Sequence, residues 1–496
     1  MADFKTTIGL EIHIQLKTKS KMFCSCDNNA DGAEPNTLIC PVCLGMPGTL
    51  PVTNRQAVEW TVKTGLALGC SITPESKFDR KHYFYPDLPK GFQISQYDKP
   101  LCCGGEVEVD GHKIRLNRIH LEEDAGKLVH PSRERAETSP TGKNYSLVDL
   151  NRAGTPLMEV VTEPDITTPS QARKFMEELQ LALRYLKVSD ADMEKGQLRC
   201  DANISVATND EIRMTNDEKS PNMKMSPIVE IKNLNSFKFV EQALVFEERR
   251  LRQEFENWPE EPTKITRGFD SEKGITFEQR RKEEAADYRY FPEPDIPPIS
   301  FSASEIAKIK NQIVELPKTK KARYISLGIR EDVAERIVRH PHIAEYLESA
   351  EELKKELAVF VSEEVNKAIA DHKISYEEYK KKVPVTSLAD LLNLVGEGII
   401  SKTMAKEVFA EMVRSGKKAT DIIKEKGLEQ VSESGELGSV IANVIRENPE
   451  LVEKYHAGKT QVLGFFVGEV MKKTGGKANP QILNKLLKER LNGYDS

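Results

Sequence analysis

No apolar run in this sequence approaches the roughly 18 residues that a membrane-crossing helix requires. That excludes a membrane-crossing helix. The opening residues Met1-Ala2-Asp3-Phe4-Lys5 lack the basic-then-apolar order of an export signal. The expected location is therefore the cytoplasm. Basic excess is missing too, since 72 Lys and Arg stand against 78 Asp and Glu for a net charge of −6. An acidic total excludes a surface coated all over for nucleic acid, although a local basic patch remains open. Two signatures are also absent. With no GxxxxGK(S/T) phosphate loop and no GxSxG elbow, any ATP must be held by another design.

What is present is length, charge and clustered thiols. The 496 residues exceed one compact core, and 39% hydrophobic with 30% charged residues is a globular composition. The segment Pro292-Glu293-Pro294-Asp295-Ile296-Pro297-Pro298 holds four prolines in seven residues, which neither a helix nor a central strand tolerates. A domain boundary is expected there. Three domains follow, at 1–296, 297–422 and 423–496. Before the boundary, β-like segments alternate with turns. After it the pattern is helical, opened by a Ser302/Glu305 capping box and carried by Ile306, Ile309 and Ile313. Helical stretches are expected over 329–372, 386–395, 401–414, 438–447 and 480–491.

Ile8, Leu10, Ile12, Ile14 and Leu16 alternate with Gly9, Glu11, His13 and Gln15. Period two over this length predicts a half-buried strand with Glu11 and His13 on its polar face. A carboxylate beside an imidazole can ligate a cation or exchange a proton, but from this strand alone an ordinary solvated sheet face is the favoured reading. Residues 198–205 and 229–232 repeat the pattern, presenting Arg199, Asp201, Asn203 and Ser205, then Glu230 and Lys232. Three such strands suggest one sheet lining a polar cleft suited to Mg²⁺ and phosphates. In Arg118 to Lys127, strand alternation groups Arg118, His120 and Glu122, leaving Glu123 on the other side. An exposed acidic turn is the alternative there.

Cys24-Ser25-Cys26 and Cys40-Pro41-Val42-Cys43 give a CxC and a CxxC separated by thirteen residues. Four thiolates from two loops suit a closed, structural Zn²⁺. Free thiols or a redox pair are the alternatives.

Longer motifs carry a family resemblance. Ile8 to His13, Phe78 to Lys90, Gln93 to Gln96, Glu122 to Lys127, Ser146 to Arg152, Thr155 to Leu157, Leu198 to Ser205, Lys232 to Ser236 and Asp287 to Asp295 resemble the B/E subunits of the tRNA-dependent amidotransferases. Gly464 to Gly468 and Ala478 to Pro480 resemble the family's helical tail. The resemblance implies an α+β architecture, with a glutamine-synthetase-like cradle domain followed by all-α helical and tail domains. It implies ATP-dependent phosphorylation of the side-chain carboxylate of Glu-tRNA(Gln) or Asp-tRNA(Asn), then amidation. Ammonia would come from a partner amidase, the A member of a heterotrimer whose C member is small. Carried over position by position, the Mg²⁺ ligands are Glu11, His13, Glu123, Glu159 and Glu230, with Glu11, His13, Glu123 and Glu230 as the catalytic set. Here the family places Glu123 where strand parity places Glu122, which a bulge at the strand end would reconcile. By motif position and charge, Arg80, Lys81, Arg199 and Arg280 are the phosphate-contact candidates. The resemblance also implies that only part of the family carries the zinc cysteines, so zinc would stabilise a loop and take no part in the reaction.

Residues 459–496 carry Lys459, Lys472, Lys473, Lys477, Lys485, Lys488 and Arg490 against Glu469, Glu489 and Asp495. Composition alone favours a solvated helix face, whereas the resemblance implies contact with the tRNA backbone. Two other classes compete with the amidotransferase. One is a zinc-stabilised RNA-binding protein, the other a ligase acting on free amino acids.

Overall fold

The computed structural model describes residues 4–129, 145–208, 225–258, 264–281, 288–428, 434–474, 478 and 480–493, leaving out the side chains of 280, 281, 434–436, 480 and 481. The chain divides into two compact units, Met1–Leu316 and Pro317–Ser496.

The first unit is built on one large, mostly antiparallel sheet. Its main strands along the chain are β1 (Phe4–Gln15), β2 (Asp79–His82), β3 (Phe92–Ser95), β4 (His112–Glu123), β5 (Pro156–Thr162), β6 (Leu198–Thr208), β7 (Ile228–Leu234), β8 (Lys264–Asp270), β9 (Ile275–Arg281) and β10 (Phe291–Pro292). In space they run β9-β8-β7-β6-β1-β5-β4-β3-β2-β10, and β1 is central. Only the β7–β8 pair in this order is parallel.

One face of the sheet is aliphatic, as the alternation predicts. Ile8, Leu10, Ile12 and Ile14 of β1, with Cys200, Ala202 and Ile204 of β6 and Met158 and Val160 of β5, are buried in the core. Each fully buried Ile or Leu contributes about 1.5–3 kcal/mol. Helices α1 (Arg55–Ala67), α2 (Pro169–Tyr185) and α3 (Phe237–Gln253) cover this face. Thr168 caps α2 by accepting from the Gln171 amide, with Pro169 in the first turn, where its missing N–H costs nothing. Ser236 caps α3 in the same way. The other face of β1 holds Glu11 and His13.

The division between units falls at Leu316, not at residue 296. Ile299–Ser300 pairs with Glu75–Ser76 of the first unit. Helix α4 (Ala303–Lys310) opens with the expected Ser302/Glu305 capping box and buries Ile309 in the first core. Phe301, Ile313 and Leu316 pack against the same core. The prolines interrupt secondary structure there without ending the hydrophobic contacts that define a domain.

The second unit is helical among its described residues. The stretch expected over 329–372 is broken into Glu331–Val338, Pro341–Glu348, Lys355–Phe360 and Asn366–His372, with a π-helical turn at Val361–Val365. Pro341 starts a new helix because it cannot continue the previous one. The tail has its own core of Leu437, Ile441, Val444, Phe466, Val470, Leu483 and Leu487. Among the described residues, no helix is long and apolar enough to cross a membrane.

Candidate metal and phosphate centre

The front of the sheet gathers acids and imidazoles from three adjacent strands. Register places His13 of β1 opposite Glu159 of β5, and Glu159 opposite His120 of β4. His13 Nε2 lies 3.3 Å from Glu159 Oε2, 3.6 Å from Glu122 Oε1 and 3.9 Å from Glu11 Oε1. His120 Nε2 reaches Glu159 Oε2 at 3.3 Å from the far side. Two overlapping sets, Glu11–His13–Glu159 and His120–Glu122–Glu159, each have donor atoms within 4.8 Å of one another. The His120 Nδ1 is buried without a hydrogen-bond partner.

Three carboxylates this close demand positive charge. Burial disfavours an imidazolium at His13, yet its bond to Glu159 and the fields of Glu159, Glu122 and Glu11 outweigh burial and raise its pKa to about 9. Glu159 is held well below the usual carboxylate range, because His120 and His13 overcome the cost of burying it. Glu11 is pushed up, first by burial and then by Glu159. In this state the proton on His13 occupies the role that a divalent cation would take.

Of the five expected Mg²⁺ ligands, Glu11, His13 and Glu159 come together. Glu123 stands apart from them. It accepts a hydrogen bond from the Ile94 amide at 3.0 Å and pairs with Lys90. No bulge intervenes at this end of β4, where Pro156 opposes Glu123 and Leu157 opposes Glu122, and the register shift lies at Val161/Thr162 instead. Strand parity therefore holds, and Glu122 is the acid in the cluster. Its Oε2 accepts from Ser95 at 3.1 Å. Glu230 also lies outside the cluster, on β7 beyond β6. There Lys232 at 3.3 Å and Lys264 at 3.7 Å neutralise it, and Thr266 donates to it.

The four basic candidates separate in the same way. Lys81 faces the acids. Burial works against its charge, but Glu122 and Glu159 outweigh burial and raise its pKa. Arg199 stands opposite His13 and is anchored to Asp124 at 2.8 Å, while Gln15 donates to the same carboxylate at 2.9 Å. Asp124 is fully buried, and Arg199 and Arg152 overcome burial to hold it below the usual carboxylate range. Arg80 points to the other side of the sheet, bonded to both oxygens of Glu293 at 2.6 and 2.8 Å. Its fork is taken by a structural pair. Arg280 lies in β9, two strands beyond β7, and its side chain is outside the described residues. So is Lys477 of the tail.

The cysteines form a separate cluster. Cys43 Sγ lies 3.3 Å from Cys24 Sγ and 3.7 Å from Cys26 Sγ and Cys40 Sγ. Ligands 2.3 Å from a tetrahedral zinc sit about 3.8 Å apart, so the donor set fits that ion. The Cys24 thiol and burial act in opposite directions on Cys43, and with help from Lys21 its pKa is lowered to about 4. Lys21 is fully buried, with Nζ 2.8 Å from the Leu38 carbonyl and 3.6 Å from Cys43 Sγ. Gly45 has φ +66°, and a Cβ there would lie 2.5 Å from Lys90 Cγ. Glycine thus lets the thiol loop lie against Lys90, whose ammonium pairs with Glu123.

Residues 6–307 match the family model described as the GatB/GatE catalytic domain, and residues 342–491 match that of the GatB domain. The chain belongs to the GatB/GatE family. Over 496 residues it is 46% identical to a Pseudothermotoga lettingae protein named as the B subunit of aspartyl/glutamyl-tRNA(Asn/Gln) amidotransferase, covering 98% of this chain and 99% of that protein. A Thermotoga maritima protein of the same name is 45% identical over 498 residues, covering 99% of each. One from Dehalococcoides mccartyi is 46% identical over 510 residues, again covering 99% of each. The GatB/GatE catalytic match contains both the acid–imidazole cluster and the thiol cluster, and the second match contains the tail core.

Several partners in this GatB/GatE site escaped the sequence reading. Asp124 and Gln15 orient Arg199, Lys21 accompanies the thiols, and Lys90 pairs with Glu123. For Glu122 the signal was strand parity itself. For Asp124 the run of three adjacent acids signalled a need for neutralising charge but not its partner Arg199, and for Lys21, defined by contacts with distant chain segments, no local signal existed.

Proposed function

We propose that this chain uses ATP to activate the side-chain carboxylate of glutamate or aspartate esterified to tRNA, then forms the amide with ammonia. The carrying observation is the Glu11–His13–Glu122–Glu159 cluster flanked by Lys81 and Arg199, on a chain whose relatives are named for that substrate class. The antiparallel sheet with helices behind it and an acidic front supports a glutamine-synthetase-like cradle.

The chemistry follows from what a carboxylate lacks. Its oxygen is a poor leaving group, so direct attack by ammonia fails. Attack of the carboxylate oxygen on the γ-phosphorus of ATP expels ADP and leaves an acyl phosphate. Ammonia then attacks the acyl carbon, and phosphate leaves with the original carboxylate oxygen. Lys81 and Arg199 would hold phosphoryl oxygens, a role worth most in a water-poor site. The mixed acid and imidazole set of Glu11, His13, Glu122 and Glu159 would hold Mg²⁺. That ion would supply positive charge against the phosphoryl oxygens. Cys24, Cys26, Cys40 and Cys43 would hold a structural Zn²⁺ with no open position.

The amidation step consumes ammonia, which glutamine would supply. A partner amidase, together with a third, small polypeptide, is the natural source, in a cytoplasmic heterotrimer. The basic tail, with Lys459, Lys472, Lys485, Lys488 and Arg490, would hold the tRNA backbone. The test is amidation by the chain supplied with an ammonium salt, ATP and Glu-tRNA(Gln). Product that requires all three supports the proposal. Equal activity on free glutamate contradicts it.

A further inference from the structure

Beside the acid cluster runs a row of five tyrosines that the activation chemistry does not use. Tyr85 and Tyr83 have ring centroids 6.3 Å apart, Tyr83 and Tyr288 6.2 Å, and Tyr288 and Tyr290 6.1 Å. The row ends on Tyr97, stacked on Tyr290 at 4.2 Å with planes only 10° apart. None of the five belongs to the hydrophobic core of the first unit. Both ends are open to solvent, with Tyr85 at 63% and Tyr97 at 59% exposure. A ring as exposed as Tyr97 buries little, so its stack on Tyr290 adds little to folding.

The inner rings meet the reactive site. Lys81 Nζ lies 5.0 Å from the Tyr288 ring centre. Tyr83 donates to Gln93 Oε1 at 3.1 Å, and Gln93 in turn donates to the Glu123 carbonyl at 2.6 Å. The Tyr290 hydroxyl is pushed up to about 12, mainly by burial, with Glu122 and Glu159 adding to the effect. The row therefore leads from solvent to the edge of the cluster.

We infer that this tyrosine row is a stacking platform for the single-stranded 3′ nucleotides of the charged tRNA, with Tyr97 and Tyr290 as its principal contacts. This rests on the proposed activation of a tRNA-linked carboxylate. The amino acid that bears that carboxylate is esterified through its α-carboxyl group to the terminal adenosine, so the last base must lie close to the acids. Unpaired bases are held by aromatic faces, which accept any base and need no charge. Such a platform suits a site whose acids repel phosphates. Because stacking uses the ring and not the hydroxyl, phenylalanine should replace tyrosine at these positions.

The test uses the full chain assembled with its ammonia-supplying partner. The wild-type protein, Tyr97→Phe and Tyr97→Ala are compared for binding of uncharged tRNA, intact or with its 3′-terminal CCA removed. Loss of one stacked base corresponds to about a five- to hundredfold weakening. Tyr97→Ala should show that weakening for intact tRNA and none for trimmed tRNA, while Tyr97→Phe behaves as wild type and the KM for ATP is unchanged. A 2-aminopurine in place of the terminal adenine should be quenched by the wild type and Tyr97→Phe, and less by Tyr97→Ala. Equal binding of intact and trimmed tRNA by the wild type, or an Ala effect that persists on trimmed tRNA, overturns the platform. Absence of ATP-dependent amidation by the wild type would instead overturn the activation reading, while the comparison of intact and trimmed tRNA still decides the platform.

Discussion

His13 and Glu159 face each other across β1 and β5 with Nε2 3.3 Å from Oε2, and His120 reaches that same oxygen from β4. One buried carboxylate therefore sits between two imidazoles, with Glu11 and Glu122 beside them. An arrangement with this much negative charge is stable only when a proton or a metal ion neutralises it.

Proton and metal should compete at His13. Its folded pKa of about 9 lies above the ordinary 6.5, so the metal-free protein holds this proton at neutral pH. A metal needs the neutral imidazole and must displace it. Mg²⁺ affinity should therefore rise between pH 7 and 9 and level off above. Calorimetry in buffers of different ionisation enthalpy should show about one proton released per ion at pH 7. A pH-independent affinity would contradict this.

Adjacent acids in β4 should behave differently. Glu122→Gln removes a cluster carboxylate, and kcat should fall about 10²–10³-fold with a raised Mg²⁺ requirement. Glu123→Gln leaves the cluster's charge intact, so its Mg²⁺ requirement should match wild type. The Mg²⁺ dependence of amidation at saturating ATP measures both. Equal shifts in the two variants would refute the parity argument.

The thiol cluster should bind one zinc per chain by elemental analysis, and a chelator should lower the melting temperature. Lys21 provides the test of its surroundings. Beside four thiolates its ammonium offsets negative charge, so Lys21→Met should weaken zinc binding by about 10–100-fold. Zinc affinity unchanged in that variant would show that Lys21 has no such role.

In the second unit, Glu348 gathers Lys320 at 2.6 and 2.7 Å, Tyr324 at 3.1 Å and Arg323. Burial raises its pKa, but Lys320 and Arg323 outweigh burial and lower it overall. A depressed carboxylate stabilises the fold above its ordinary pKa and loses that contribution as pH falls through the folded value. Glu348→Gln should cost about 1–2 kcal/mol at pH 7, less than a fully buried pair because the group is partly exposed. The cost should shrink on acidification, as read by denaturant unfolding. A cost independent of pH would contradict the pairing.

The strand carrying Glu11 and His13 was legible because period-two alternation fixes both its structure and its two faces. Helix α4 was legible through its Ser302/Glu305 cap. Glu159 was not, since it lies among Leu157, Met158, Val160 and Val161, where no polar face is visible without the neighbouring strands. Arg80 misled in the opposite direction. Its charge suggested a phosphate contact, but Glu293, 213 residues away, takes its guanidinium. Pro292 to Pro298 misled for a related reason, because a break in secondary structure does not end a core that Ile309 and Leu316 continue to fill. What sequence periodicity reports is the faces of single elements. Which distant charge meets which is set by topology.

The activation step itself admits one direct measurement. Glu-tRNA(Gln) labelled with ¹⁸O in the side-chain carboxylate should be incubated with the chain, ATP and an ammonium salt, and the released phosphate analysed by mass spectrometry. Transfer of one ¹⁸O from the carboxylate to inorganic phosphate for each amide formed is the predicted result, because the carboxylate oxygen leaves with phosphorus. Amide formation with unlabelled phosphate would contradict phosphorylation of the side chain.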